Sequence, residues 1–149
     1  MTDYTHYKML IDGQWVPASD GAKFNSLNPT TGKVWATVPE ATAEDVDRAV
    51  RAADRAFYQG PWPAMSASER GHCLRRLAML LAERSDELGT IETTDTGKML
   101  KETRWQAKYI SEFFHFFAGC ADKIHGETLP IDKPDMFVFT NREPLGVIA

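Results

Sequence analysis

Few side chains in these 149 residues have the type and spacing that chemistry requires. Cys73 follows His72, but neighbouring helical positions point about 100° apart and cannot pair a nucleophile with its base. Its place on an apolar stripe predicts a small buried thiol instead, and Cys120, between Gly119 and Ala121, also reads as packing. His6, His72, His115 and His125 stand singly, with no HExxH pair, and the two cysteines have no Cys or His at knuckle spacing. Neither metal hydrolysis nor a disulfide framework is indicated, and a reducing compartment fits best. No two glycines are separated by a single residue, so GxGxxG cannot be written, and Gly97-Lys98 lacks the upstream glycine of a phosphate loop. A GxSxG elbow is missing too, and no carboxylate pair is nominated for general acid and base work.

Asp95 is different, because its position demands a partner. In Thr93-Thr94-Asp95-Thr96-Gly97 it sits near a predicted helix end, where the dipole disfavours an anion by about 0.3–1 kcal/mol. Hydrogen bonds from nearby amides or hydroxyls would offset this, and a bound cation is the sharper alternative. Phe113, Phe114, Phe116 and Phe117 around His115 could suggest an aromatic ligand box, but aromatics at helical spacing usually fill a core or an interface.

The charge balance is acidic, with 17 Lys and Arg against 21 Asp and Glu for a net charge of -4, which argues against a nucleic-acid surface. A composition of 43% hydrophobic and 26% charged residues is that of a globular chain. No apolar run reaches the length of a membrane span, and the start lacks the basic and apolar regions of a signal peptide. The expectation is a cytoplasmic protein with no membrane partner.

The elements that would carry these residues follow from periodicity. Asp12-Gly13 between apolar flanks predicts a hairpin over 9–16, and 33–38 alternates as a strand after the Asn28-Pro29-Thr30-Thr31-Gly32 turn. Thr42 and Asp45 have capping-box spacing before a helix over 43–58, which Gly60-Pro61-Trp62-Pro63 should break. Ser66 opens a second helix to about 84 with Arg70, Cys73, Leu74, Leu77 and Leu81 as its stripe. Ser85 caps a third, which closes near Gly97. The longest helix spans about 99–122, with Thr103, Ala107, Ile110, Phe114, Phe117 and Ala121 at spacings of three and four. Met136 to Thr140 is strand material, and Leu145 to Ala149 is an unalternating apolar run that suits a strand buried on both faces. A free carboxylate at the end of such a strand would be desolvated at a cost of several kcal/mol, so the expectation is that the chain continues.

Six motifs in order complete the reading. IDGQW at 11–15, NPTTG at 28–32, EATAEDVDRAVRAADRAF at 40–57, ETTDTGK at 92–98, AGCADKIHGETLP at 118–130 and REPLGVIA at 142–149 together resemble the N-terminal portion of the NAD(P)-dependent aldehyde dehydrogenase family. Thr96 and Cys120 stand where many relatives have Asn and Trp. The resemblance implies an enzyme roughly three times this length that oxidises an aldehyde to a carboxylic acid through a cysteine thiohemiacetal, with hydride transfer to NAD or NADP. The catalytic and coenzyme-binding residues of the family come later, so none is assigned here and the chain alone is expected to be inactive.

The resemblance also implies an α/β fold. Residues 1–125 would be helices and a hairpin of the coenzyme domain, 126–143 oligomerisation strands of a dimer or tetramer, and 144–149 the first strand of the Rossmann-like sheet. It places Asp95 with the backbone carbonyls of Ser26 and Leu27 at a monovalent cation site, for Na+ or K+. It places Tyr109 on a helix that helps line the aldehyde entry tunnel. The alternative is a natural short assembly or binding module derived from the same family.

Overall fold

The computed structural model of the chain describes residues 5–148. After β1 (Thr5–His6), the strands β2 (Met9–Ile11) and β3 (Gln14–Val16) form the antiparallel hairpin that Asp12-Gly13 predicts. Both turn residues take positive φ, 52° and 73°, which matches the twist of the flanking strands.

The sheet has the order β1-β5-β4, with β4 (Lys23–Asn28) antiparallel and β1 parallel to β5 (Lys33–Pro39). β5 is the strand expected over 33–38. β4 was not legible, because its apolar residues Phe24 and Leu27 are three apart rather than two. The turn between them is fixed by Asn28, whose side-chain oxygen accepts from the amides of Thr30 and Thr31 at 2.9 and 3.3 Å.

Five helices follow among the described residues. α1 (Ala43–Tyr58) has the expected capping box, in which Thr42 and Asp45 satisfy each other's backbone amides. Gly60 to Pro63 does end α1, but it also starts a four-residue helix, α2 (Pro61–Ala64), because a proline at the first helical position loses no hydrogen bond. α3 (Ala67–Glu83) starts from a second capping box, Ser66 with Glu69. α4 (Ser85–Thr96) is capped by Arg84, with no side-chain bond, so Ser85 is its first residue and not its cap. Gly97 closes α4 in the left-handed conformation, φ 76°, as expected. α5 (Leu100–Cys120) is the longest.

α3 and α4 both pack on α5. They meet through small residues: Gly71, Ala78, Gly89, Thr103, Ala107, Ser111 and Ala118 are the buried positions. A Cβ on Gly71 would lie 2.8 Å from the Ala118 carbonyl oxygen, and one on Gly89 would lie 2.7 Å from both the backbone N and Cα of Arg104. The expected stripes are therefore only partly right. Thr103 and Ala107 are buried, whereas Leu77, Ile110 and Phe117 are exposed, and so is Cys73, which contradicts the buried thiol. Hydrophobicity selects the large residues, but close helix packing selects the small ones.

Beyond α5, β6 (Thr128–Leu129) pairs antiparallel with β7 (Val138–Phe139). The strand expected over 136–140 is thus reduced to two residues. Gly126 is required there, since a Cβ would fall on the Thr140 carbonyl oxygen, while Glu127 and Thr140 exchange hydrogen bonds. Residues 145–148 form no strand, and Ala149 lies outside the described residues. A strand needs a ladder partner, and no neighbouring strand reaches this run among the described residues.

Candidate functional site

The sheet and α4 meet at Asp95. The register of β4 on β5 shifts between Ser26 and Leu27, so Trp35 is an extra residue between the partners Ala36 and Val34. This bulge aims the indole along the sheet, where Nε1 donates to the Ser26 hydroxyl at 3.1 Å and to Asp95 Oδ1 at 3.2 Å. Ser26 Oγ donates to the same carboxylate oxygen at 2.5 Å. Asp95 thus has the offsetting donors that its place in the last turn of α4 requires. The cluster is buttressed one turn on, where a Cβ on Gly97 would lie 2.8 Å from Pro29 Cγ, so the NPTTG turn and the end of α4 fit only with glycine there.

Ser26 meets Asp95 through its side-chain hydroxyl, whereas the expectation named the backbone carbonyls of Ser26 and Leu27, and Leu27 follows on an irregular stretch of β4. Trp35 was missed: nothing in the spacing of the four tryptophans distinguishes it, and only the bulge turns it toward the carboxylate. The donor set is hard oxygen, but no group of three His, Cys, Asp or Glu side chains is arranged to hold a metal among the described residues. Asp95 Oδ2 takes no hydrogen bond among those residues.

Tyr109 lies on a separate face of α5. Its ring stacks on Trp105 with centroids 4.9 Å apart and planes 10° apart, and meets Phe113 edge-on at 5.4 Å. Tyr109, Glu112, Phe113, Phe116 and Phe117 line an open groove of about 430 Å³. Phe113, Phe116 and Phe117 are each more than half exposed, so they fill no core within the described residues and form a face instead.

Asp45 is the most perturbed carboxylate and is almost wholly buried. Hydrogen bonds from the backbone amides of Thr42 and Ser19 hold it far below the usual carboxylate range, helped by the Thr42 hydroxyl and Arg48 against the opposing effect of burial. It ties the segment before β4 to the start of α1.

Taken with the fold, these features define a mixed α/β unit with one polar cluster at a sheet–helix junction and a bare aromatic helix face. The aldehyde dehydrogenase family model matches residues 15–149, and the chain belongs to that family. It is 46% identical over 144 residues to (Z)-2-((N-methylformamido)methylene)-5-hydroxybutyrolactone dehydrogenase of Acinetobacter baylyi, covering 96% of this chain and 29% of that protein. It is 44% identical to the mitochondrial benzaldehyde dehydrogenase of Antirrhinum majus, covering 94% of this chain and 26% of that one. Its fold overlays the NAD+ complex of an aldehyde dehydrogenase from Bacillus cereus with a TM-score of 0.89 and 39% identity, over 94% of this chain and 28% of that one. The chain thus spans less than a third of the length of these relatives and matches their N-terminal portion.

Proposed function

We propose that this chain is the N-terminal part of an NAD(P)-dependent aldehyde dehydrogenase, which oxidises an aldehyde to a carboxylic acid once the rest of the family fold is present. The observation that carries this reading is the family match over residues 15–149, set beside coverage of only 26–29% of the relatives' length. The surface supports it. The chain exposes 11682 Å², whereas a compact monomer of its 16.7 kDa would expose about 7,600 Å². The surplus of about 4,000 Å² exceeds the roughly 800 Å² per partner of a standard interface, so it fits the missing bulk of a larger fold better than a dimer patch.

In this reading the coenzyme, NAD or NADP, and the hydride chemistry are supplied with residues outside this chain. The described residues provide positions. Tyr109 and its aromatic neighbours on α5 offer an apolar wall to the aldehyde, and β6 with β7 offers strand edges to another subunit. Asp95, with the carbonyls of Ser26 and Leu27, holds Na+ or K+ at the sheet–helix junction. Two free cysteines suit the reducing environment of the cytoplasm.

A short assembly module is favoured by one observation, the exposed Phe137 and Phe139 on the β6–β7 hairpin. The reading frame beyond codon 149 separates the two. Continuation into further family sequence supports the enzyme, and a stop codon supports the module.

A further inference from the structure

The β6–β7 arm leaves the body of the fold at Gly126. Its ladder is two residues long, Thr128 with Phe139 and Leu129 with Val138, and among the described residues the two strands pack chiefly on each other. A ladder this short has little stability or direction of its own. Both come from the base, where the Glu127 amide donates to Thr140 Oγ1 at 2.8 Å and the Thr140 amide donates to the Glu127 carbonyl at 2.8 Å. Gly126 stands directly against that pair: a Cβ there would fall on the Thr140 carbonyl oxygen and lie 2.8 Å from its carbonyl carbon. Backbone atoms cannot swing aside as a side-chain end can, so the two segments approach this closely only over glycine. Farther out, Phe137 and Phe139 are two positions apart and project from one face, with ring centroids 5.9 Å apart and both rings exposed.

We propose that Gly126 and Thr140 form a pinch that aims the arm at a second copy of the enzyme, so that assembly depends on a glycine outside the contact itself. This rests on the reading of β6 and β7 as edges offered to another subunit. A second copy presents the same edge, and two identical edges can pair antiparallel about a twofold axis. Such pairing needs amides and carbonyls to meet in register at a strand spacing of about 4.7–4.9 Å. An arm swinging freely about its base would lose that freedom on docking, and the loss subtracts from affinity. The pinch removes the freedom beforehand. The exposed ring pair supplies the apolar contact, and the pinch supplies its direction.

The test is sedimentation velocity on the full-length enzyme over a range of concentrations, with a melting curve for each variant. Gly126→Ala is expected to weaken association about tenfold or more while the helices melt as in wild type. Thr140→Val, which loses only the Oγ1 bond, is expected to weaken it about fivefold, and Thr140→Ser to restore wild-type association. Should Gly126→Ala fail to fold, the two Thr140 variants decide. Phe137→Asp separates this inference from the reading beneath it. If it dissociates the assembly while Gly126→Ala and Thr140→Val associate as wild type does, the pinch is overturned and the strand reading stands. If it leaves the assembly whole, or lowers only the melting temperature, the arm packs within its own chain and both fall.

Discussion

Asp95 shows how a single residue can be read correctly in kind and incompletely in detail. Its place near a helix end called for an offset, and the structure supplies two donors on one carboxylate oxygen, Ser26 and Trp35. The proposed cation would take the other oxygen. Asp95→Ala in the full-length enzyme is therefore expected to lower thermal stability in potassium or sodium chloride and to abolish any difference from choline chloride. Melting curves in the three salts check this, and identical curves for wild type in all of them would remove the cation.

Asp45 gives the second residue-scale expectation. Its carboxyl and that of Glu69 are both lowered, Asp45 by the Thr42 and Ser19 amides first and Glu69 by the Ser66 amide first. A lowered folded-state pKa stabilises the fold above the unfolded value and loses that contribution as acid titrates the group. Stability is thus expected to be level above about pH 5 and to fall below the ordinary values of 3.8 and 4.5. Asp45→Asn is expected to flatten that acid limb in a series of melting curves, and an unchanged slope would contradict the assignment.

At the scale of elements, the helix crossings depend on missing side chains. Gly89→Ala would push a methyl into the backbone of Arg104, which is not a flexible side-chain end, so α4 and α5 must separate. Urea unfolding is expected to show a loss of about 1–3 kcal/mol despite alanine's better helix propensity. A stabilised variant would mean that the α4–α5 contact is looser than the structure shows.

The same crossings explain what the sequence made legible. Helix starts were readable because Thr42 with Asp45 and Ser66 with Glu69 carry their own local bonds, and the hairpin because Asp12-Gly13 dictates its turn. Burial was not, because Gly71, Gly89 and Ala118 contribute little to a hydrophobic pattern yet decide where helices touch. Cys73 fell on the wrong side of that line. β4 and the aim of Trp35 depend on a bulge, which no period of two can reveal.

At the scale of the molecule, exposed apolar surface is the dominant fact. Trp105, Tyr109, Phe113, Phe116 and Phe117 on α5, and Phe137 and Phe139 on the hairpin arm, are all exposed. Contiguous apolar faces of this kind mark surfaces that bury elsewhere. In solved relatives the same fold occupies little more than a quarter of the chain. The central claim is that this surface belongs against the remainder of an aldehyde dehydrogenase.

The most direct measurement is NADH formation from an aldehyde and NAD+, followed by absorbance. It compares the chain alone, the Acinetobacter baylyi relative lacking its matched N-terminal portion, and the two co-expressed. Turnover only in the co-expressed sample is the expected result. Turnover by the chain alone, or two polypeptides that neither associate nor turn over, would contradict the claim.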